Sequence, residues 1–232
     1  MPSIRNELAH PWDVALEEAA AIQRRLASLV ELCPLPAEGP GSPQLAAGVD
    51  VGYSKDGARA WAAAVVMDRR FAVCDASIVT GEPDAEYTPG YLAFREGRLT
   101  LAALEALSVE PDLIFLDGHG VVHERGLGLA SHVGVLLGIP AVGVPKTPFH
   151  AIDRLPDRPR GSHYVLTKEW GAAGASIRLR ANVKPVYVSP GHLADLDSAI
   201  ALCLAWSTGS HRVPEPLQAA DTASKVARNA RG

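Results

Sequence analysis

Two aspartates and a lysine, each set in or just beyond a short apolar run, define the chemistry open to this chain. Asp50 stands inside Leu45 to Tyr53, LAAGVDVGY, between Val49 and Val51. Asp117 closes the run Leu113-Ile114-Phe115-Leu116 and is followed at once by Gly118-His119-Gly120. Aspartate is depleted in strands, and a buried carboxylate without a partner is costly. Each has a plain alternative: Asp50 as an outward-facing residue on a half-exposed strand, Asp117 as a turn residue or helix cap. Together, two strand-borne carboxylates imply a cation, and hard oxygen ligands imply Mg²⁺ or Mn²⁺. Magnesium takes few carboxylates and completes its shell with water and substrate phosphate, which points to phosphoryl chemistry. Glu96 is a third acid, otherwise a solvated helix face. Lys146, just past the next apolar run, is either a surface lysine or a group that holds a phosphate oxygen or orients the attacking water.

Other residues extend this set. Gly118 and Gly120 either let a ligand approach the backbone closely or simply shape a turn. His119 and His123 lack the HExxH arrangement of a zinc protease, and His123 is expected to contact phosphate or to order its loop. His192, in SPGHLADLDSA, is a similar candidate. Asp221 reaches the metal only if the last helix packs beside the first strand. Tyr87 sits in a polar loop, Glu86-Tyr87-Thr88-Pro89-Gly90, with no obvious core to join. It is either a surface tyrosine or a stacking or wedge residue at a distorted base step.

The elements that must position these groups follow from periodicity. Residues 12–33 read as an amphipathic helix with Asp13 as N-cap, followed by the linker PLPAEGPGSPQ. Leu45 to Tyr53, Ala60 to Met67 and Phe71 to Ile78 read as three strands with short turns, an antiparallel meander. A helix is expected from about Tyr91 to Leu107, carrying Glu96. Leu113 to Leu116, a Gly-punctuated helical pattern, and Ile139 to Val144 form a parallel βαβ unit. Asp117 and Lys146 then lie beyond the carboxyl ends of neighbouring strands, where α/β folds gather ligands. Tyr164 to Thr167, Ile177 to Arg180 and Pro185 to Val188 are weaker strand candidates. Helices close the chain from about Asp195 to Trp206 and after Pro214-Glu215-Pro216. The expectation is one domain over residues 1–232, with residues 1–44 a helix and linker packed on it.

Composition narrows the class. The chain has 232 residues, 47% hydrophobic, enough for one substantial core. Its net charge of -4 argues mildly against a general polyanion binder, although a local basic face beside a metal site would serve. Three cysteines, widely spaced and without CxxC, give neither a disulfide framework nor a zinc motif. No apolar run is long enough to span a membrane, and the N-terminus lacks the apolar core of a signal peptide. A cytoplasmic protein, monomeric and without membrane partners, is expected.

Taken in order, several motifs resemble one family. They are Gly48-Val49-Asp50-Val51-Gly52, Tyr87-Thr88-Pro89-Gly90, Phe94-Arg95-Glu96, Asp117-Gly118-His119-Gly120 with His123, Ser131-His132, Gly143-Val144 with Lys146, Gly191-His192 with Asp197-Ser198-Ala199, and Pro214-Glu215-Pro216. The set is similar to endonuclease V, the deoxyinosine-directed nucleases, over about residues 8 to 228. The resemblance implies an α/β, ribonuclease H-like fold: a mixed central sheet, the antiparallel meander followed by parallel strands, with helices on both faces. It implies cleavage of the second phosphodiester bond 3′ to a deaminated purine in DNA, leaving 3′-hydroxyl and 5′-phosphate. By the same resemblance Asp50 and Asp117 would be metal ligands, Glu96 the catalytic glutamate and Lys146 the active-site lysine. Asp221 would assist at the metal. Tyr87, Pro89, Gly90, Gly118, Gly120, His123 and His192 would lie along the lesion and the scissile strand. Two departures stand out. The family's wedge, usually Pro-Tyr-Ile-Pro, reads Glu86-Tyr87-Thr88-Pro89 here, and Thr147-Pro148 follows Lys146 where a second basic residue is common.

Competing readings are an endoribonuclease for inosine-containing RNA, an actin-like or sugar-kinase-like ATP-binding module suggested by GVDVG, and a non-catalytic DNA-binding protein. The first differs only in a 2′-hydroxyl contact.

Overall fold

The structure, a computed structural model, describes residues 2–152, 154–167 and 174–230. Leu45–Tyr53 (β1), Ala60–Asp68 (β2) and Val73–Gly81 (β3) form the expected antiparallel meander. β2 is buried along almost its whole length, whereas β3 alternates between half-buried and exposed residues, as an edge strand does. Leu113–Leu116 (β4) adds parallel to β1, and Ala141–Gly143 (β5) adds parallel to β4. A second antiparallel set, His163–Leu166 (β6), Gly174–Ile177 (β7) and Val186–His192 (β8), joins through β8 on β5. Among the described residues the order is β3-β2-β1-β4-β5-β8-β7-β6 in one eight-stranded mixed sheet, the ribonuclease H-like arrangement.

Helices cover both faces. Leu16–Ala27 (α1), Leu92–Glu105 (α2) and Leu129–Leu137 (α3) bury their apolar faces with Ala47, Val49, Ile114 and Leu116. Leu196–Ala205 (α4) and Glu215–Asn229 (α5) pack on the other side, against Ala46, Leu113, Phe115 and Val142. Odd and even residues of β1 and β4 thus feed two separate cores, as the period of two requires. Among the described residues, no helix is long and apolar enough to cross a membrane.

Several boundaries differ from the sequence expectation. The first helix begins at Leu16, with Ala15 at its N-cap and no side-chain cap from Asp13, and it ends at Ala27. The chain beyond is drawn out instead, because the carbonyls of Glu31 and Cys33 accept the N–H groups of Leu193 and Asp195. β3 starts at Val73, not at Phe71, which takes a left-handed φ of 63° in a turn fastened by the Asp68 carboxylate to the Arg70 and Ala72 amides. β7 lies at Gly174–Ile177, so Ile177 is its last residue and not its first. β8 runs on past Val188 to His192.

Candidate active site

β1 sets the site through its alternation. Gly48, Asp50 and Gly52 point toward α5. A Cβ on Gly48 would lie 2.1 Å from the Pro216 carbonyl carbon, and one on Gly52 would lie 3.4 Å from Ser224 Oγ. Gly48 therefore lets the start of α5 lie directly on the strand, whereas a Cβ at Gly52 would meet Ser224 in ordinary contact, and Ser224 donates its hydroxyl to Asp50 Oδ2 at 2.7 Å. The β1–β4 ladder pairs Val49 with Leu116, so the next step along both strands brings Asp50 level with Asp117. The last residue of β5, Gly143, pairs with Leu116, and Lys146 follows three residues later at the same end of the sheet. Lys146 Nζ bonds Asp117 Oδ2 at 2.6 Å and reaches Asp221 Oδ1 at 3.4 Å, while Lys225 holds the other Asp221 oxygen at 2.5 Å. Asp221 thus joins the cluster because α5 packs beside β1.

Glu96 enters from α2. Its Oε1 accepts a 2.7 Å hydrogen bond from Tyr53, at the end of β1. Burial raises its pKa to about 8; the Tyr53 bond acts against this, and Asp117 and Asp50 add to it by repulsion. Asp50 is raised too, chiefly by burial, with the Ser224 bond opposing and Asp117 and Asp221 contributing. Burial works against the charge of Lys146, but Asp117, Asp50 and Asp221 outweigh it and hold its pKa above the ordinary value. The cluster carries more negative charge than its lysines neutralise.

Asp50, Glu96 and Asp117 line one hollow of about 60 Å³, together with Thr100. That is roughly the space of two waters. The Thr100 hydroxyl is buried and finds no partner in the protein. Among the described residues, no three His, Cys, Asp or Glu side chains stand in ready coordinating geometry. The donor chemistry nevertheless suits a hard divalent cation: oxygen donors alone, strained by mutual repulsion, around an ion-sized space with an unused hydroxyl.

A larger cavity of about 610 Å³ opens beside this hollow and shares Asp117 with it. Its walls include Tyr87, Pro89, Gly90, Gly118, His119, His123, Lys146 and Phe149. The volume suits a small ligand or a nucleoside. Tyr87 stands 65% exposed at the loop tip. The loop itself is fastened at both ends. Arg95 binds the Ala85 carbonyl, and Arg98 binds Asp84 and the Glu82 carbonyl. Gly90, at φ 80°, offers its carbonyl to Gln23, His123 and Arg125. These contacts hold the loop on both sides of Tyr87. Burial lowers His123 to about 4, so its ring is neutral. Its Nε2 donates to Gly90 and its Nδ1 accepts the Arg125 amide. Of the two roles expected for His123, the one it shows is ordering the loop.

Two expected residues are placed elsewhere. Gly120 packs on β8: a Cβ there would lie 1.9 Å from the Pro190 oxygen, and its N–H donates to Ser189 Oγ. Its glycine is explained by that close approach, and it does not line the large cavity. His192 pairs with Ala141 at the start of β5, the far end from Lys146. It is buried, and its Nδ1 accepts the Glu31 amide, so it fastens the N-terminal segment. Reading the sequence missed Ser224, Tyr53, Thr100 and the loop anchors Gln23, Arg95 and Arg125. Only Tyr53 carried a local signal, three residues after Asp50 at the end of the same strand.

Comparison with known proteins places the chain in a family. A family model described as Endonuclease V matches residues 24–222. The endonuclease V of Methanothrix thermoacetophila is 41% identical over 218 residues, 94% of either chain. The crystal structure of the Streptomyces avermitilis endonuclease V has a TM-score of 0.86 at 42% identity, covering 95% of this chain and 96% of that one. A Ciona intestinalis endonuclease V, in complex with DNA containing an inosine followed by a ribo-adenosine, has a TM-score of 0.79 at 25% identity, covering 94% and 99%.

Proposed function

This chain belongs to the endonuclease V family of nucleases, and we propose that it recognises deoxyinosine in DNA and hydrolyses the second phosphodiester bond on the 3′ side. The observation that carries this reading is the shared wall at Asp117, between the carboxylate hollow and the larger cavity bordered by Tyr87. Asp50, Asp117 and Glu96, with Asp221 beside them, would hold Mg²⁺, or Mn²⁺ in its place. Bound there, the ion would neutralise charge developing on the scissile phosphate.

The protein's own groups do the rest. Lys146, fixed by Asp117 and Asp221, orients the attacking water and donates to a phosphate oxygen. Glu96, beside Asp50 and Asp117 in the hollow, would hold the ion or a water bound to it as an ionised carboxylate, the cation offsetting the repulsion that raises its pKa when no cation is bound. Water adds to phosphorus and gives up a proton to solvent, the bond to O3′ breaks, and O3′ takes a proton from solvent, leaving a 3′-hydroxyl and a 5′-phosphate. Tyr87 enters the stack at the lesion while its anchored loop keeps the tip in place, and the extruded base enters the cavity behind Pro89, Gly90 and Gly118.

Inosine-containing RNA is the second reading, favoured by the ribo-adenosine in the Ciona complex. A gel assay with a single-inosine duplex, the matched inosine RNA and an undamaged duplex, with and without Mg²⁺, decides between them. The expected result is a Mg²⁺-dependent cut of the inosine DNA alone. Equal cutting of undamaged DNA would overturn the lesion reading, and preferential cutting of RNA would overturn the DNA assignment.

A further inference from the structure

Phe149 has a cavity on each side. On one side is the large cavity described above. On the other is a separate hollow of about 280 Å³, and the two share His119, Pro148 and Phe149 as a partition. The floor of the second hollow is the face of β6–β8 turned away from α4. Register puts Tyr164, Ser176 and Tyr187 side by side across the three strands. Residues paired in this way point to one face, and Tyr164 and Tyr187 both line the hollow. The roof is the 148–152 segment, with His150 stacked edge-on against Phe149 at 4.7 Å. The Arg154 guanidinium lies 5.4 Å from the Tyr164 ring centre. Between the tyrosines in the ladder, Ser176 is fully buried and is not part of the lining. A chamber lined by two tyrosines, a phenylalanine and a histidine, with an arginine held against one of the tyrosines, suits a flat heterocycle joined to a phosphate.

Resting on the lesion-directed reading of the neighbouring cavity, we propose that this hollow takes the base of a second, unstacked nucleotide of the same strand. Phe149 separates the two bases, Tyr164 and Tyr187 stack on the second, and Arg154 contacts its phosphate. The site would bind by stacking, so it would be tolerant of base identity.

The test is equilibrium binding in chelator to single-inosine duplexes in which each nucleotide flanking the inosine is made abasic in turn. One flanking position is expected to weaken binding by about tenfold or more, the usual worth of a stacked base. Tyr164→Ala with Tyr187→Ala should weaken the intact strand by the same factor and add nothing on that abasic strand. Tyr164→Phe with Tyr187→Phe should restore binding. A flat abasic scan overturns the proposal, and so does an alanine variant that weakens intact and abasic strands alike. The functional reading fails separately, if the unaltered protein binds inosine and undamaged duplexes equally.

Discussion

Glu96→Gln separates a buried charge from everything else about that side chain. Glutamine keeps the shape and still accepts the hydrogen bond from Tyr53. In wild-type protein without divalent cations, folding moves the Glu96 pKa from 4.5 to about 8. A pKa raised on folding costs nothing at pH well below 4.5, where the group is neutral in both states. From there to about pH 8 the unfolded chain loses its proton while the folded one keeps it, so stability falls steadily. Above that the cost is constant. At about 1.4 kcal/mol per tenfold in proton affinity, the ceiling is ~5 kcal/mol. Glu96 keeps some solvent contact, so screening brings the expected effect to about 2–3 kcal/mol. Urea unfolding in chelator should therefore show Glu96→Gln and wild type alike at pH 4, with the variant more stable by that margin at pH 9. Added Mg²⁺ should narrow the margin, because a cation that binds only the folded carboxylates stabilises wild type more. A difference between the two proteins that does not change with pH would refute the reasoning.

Other outcomes follow from the same geometry. Lys146→Met should lower the single-turnover cleavage rate about 10²–10³-fold, the usual effect of losing one transition-state donor, with little change in inosine-strand binding by anisotropy. Tyr87→Ala should leave the melting temperature unchanged, since the side chain is 65% exposed, and should weaken binding to the inosine strand by about 1–3 kcal/mol. Gly48→Ala would place a methyl 2.1 Å from the Pro216 carbonyl carbon, and chemical denaturation should show a loss of about 1–3 kcal/mol or more as α5 is pushed off β1.

How much of this was legible in the sequence depends on how local each signal was. β1 was readable from LAAGVDVGY to the residue, because a long apolar run with turn signals on both sides admits one assignment. The β4–α3–β5 unit was clear as a unit, with β5 shorter than the expected Ile139 to Val144, and its order alone places Asp117 and Lys146 at one sheet end. The convergence of Asp221 needed α5 beside β1, which rests on Gly48 having no side chain and on Ser224, 174 residues from Asp50. Nothing local announces such a pairing. The positions of His192 and Gly120 were hidden for a related reason. Both lie in motifs rich in glycine and histidine, yet β8 runs antiparallel to β5 and carries His192 to the end of β5 away from Lys146. Gly120 is small because β8 crosses it closely. The second cavity depends on three weak strands whose register aligns two tyrosines 23 residues apart in sequence, a relation visible only once the sheet is formed.

The central claim is that Asp50 and Asp117 hold the cation that makes an inosine strand cleavable. Its most direct test is the single-turnover rate on a single-inosine duplex as Mg²⁺ is titrated, for wild type, Asp50→Asn and Asp117→Asn. Wild type should rise from no cleavage in chelator to a saturating rate, with the cut mapped to the second phosphodiester 3′ to the inosine, while both variants stay flat and still fold. Cleavage in chelator, or a wild-type Mg²⁺ response in either variant, would contradict the claim.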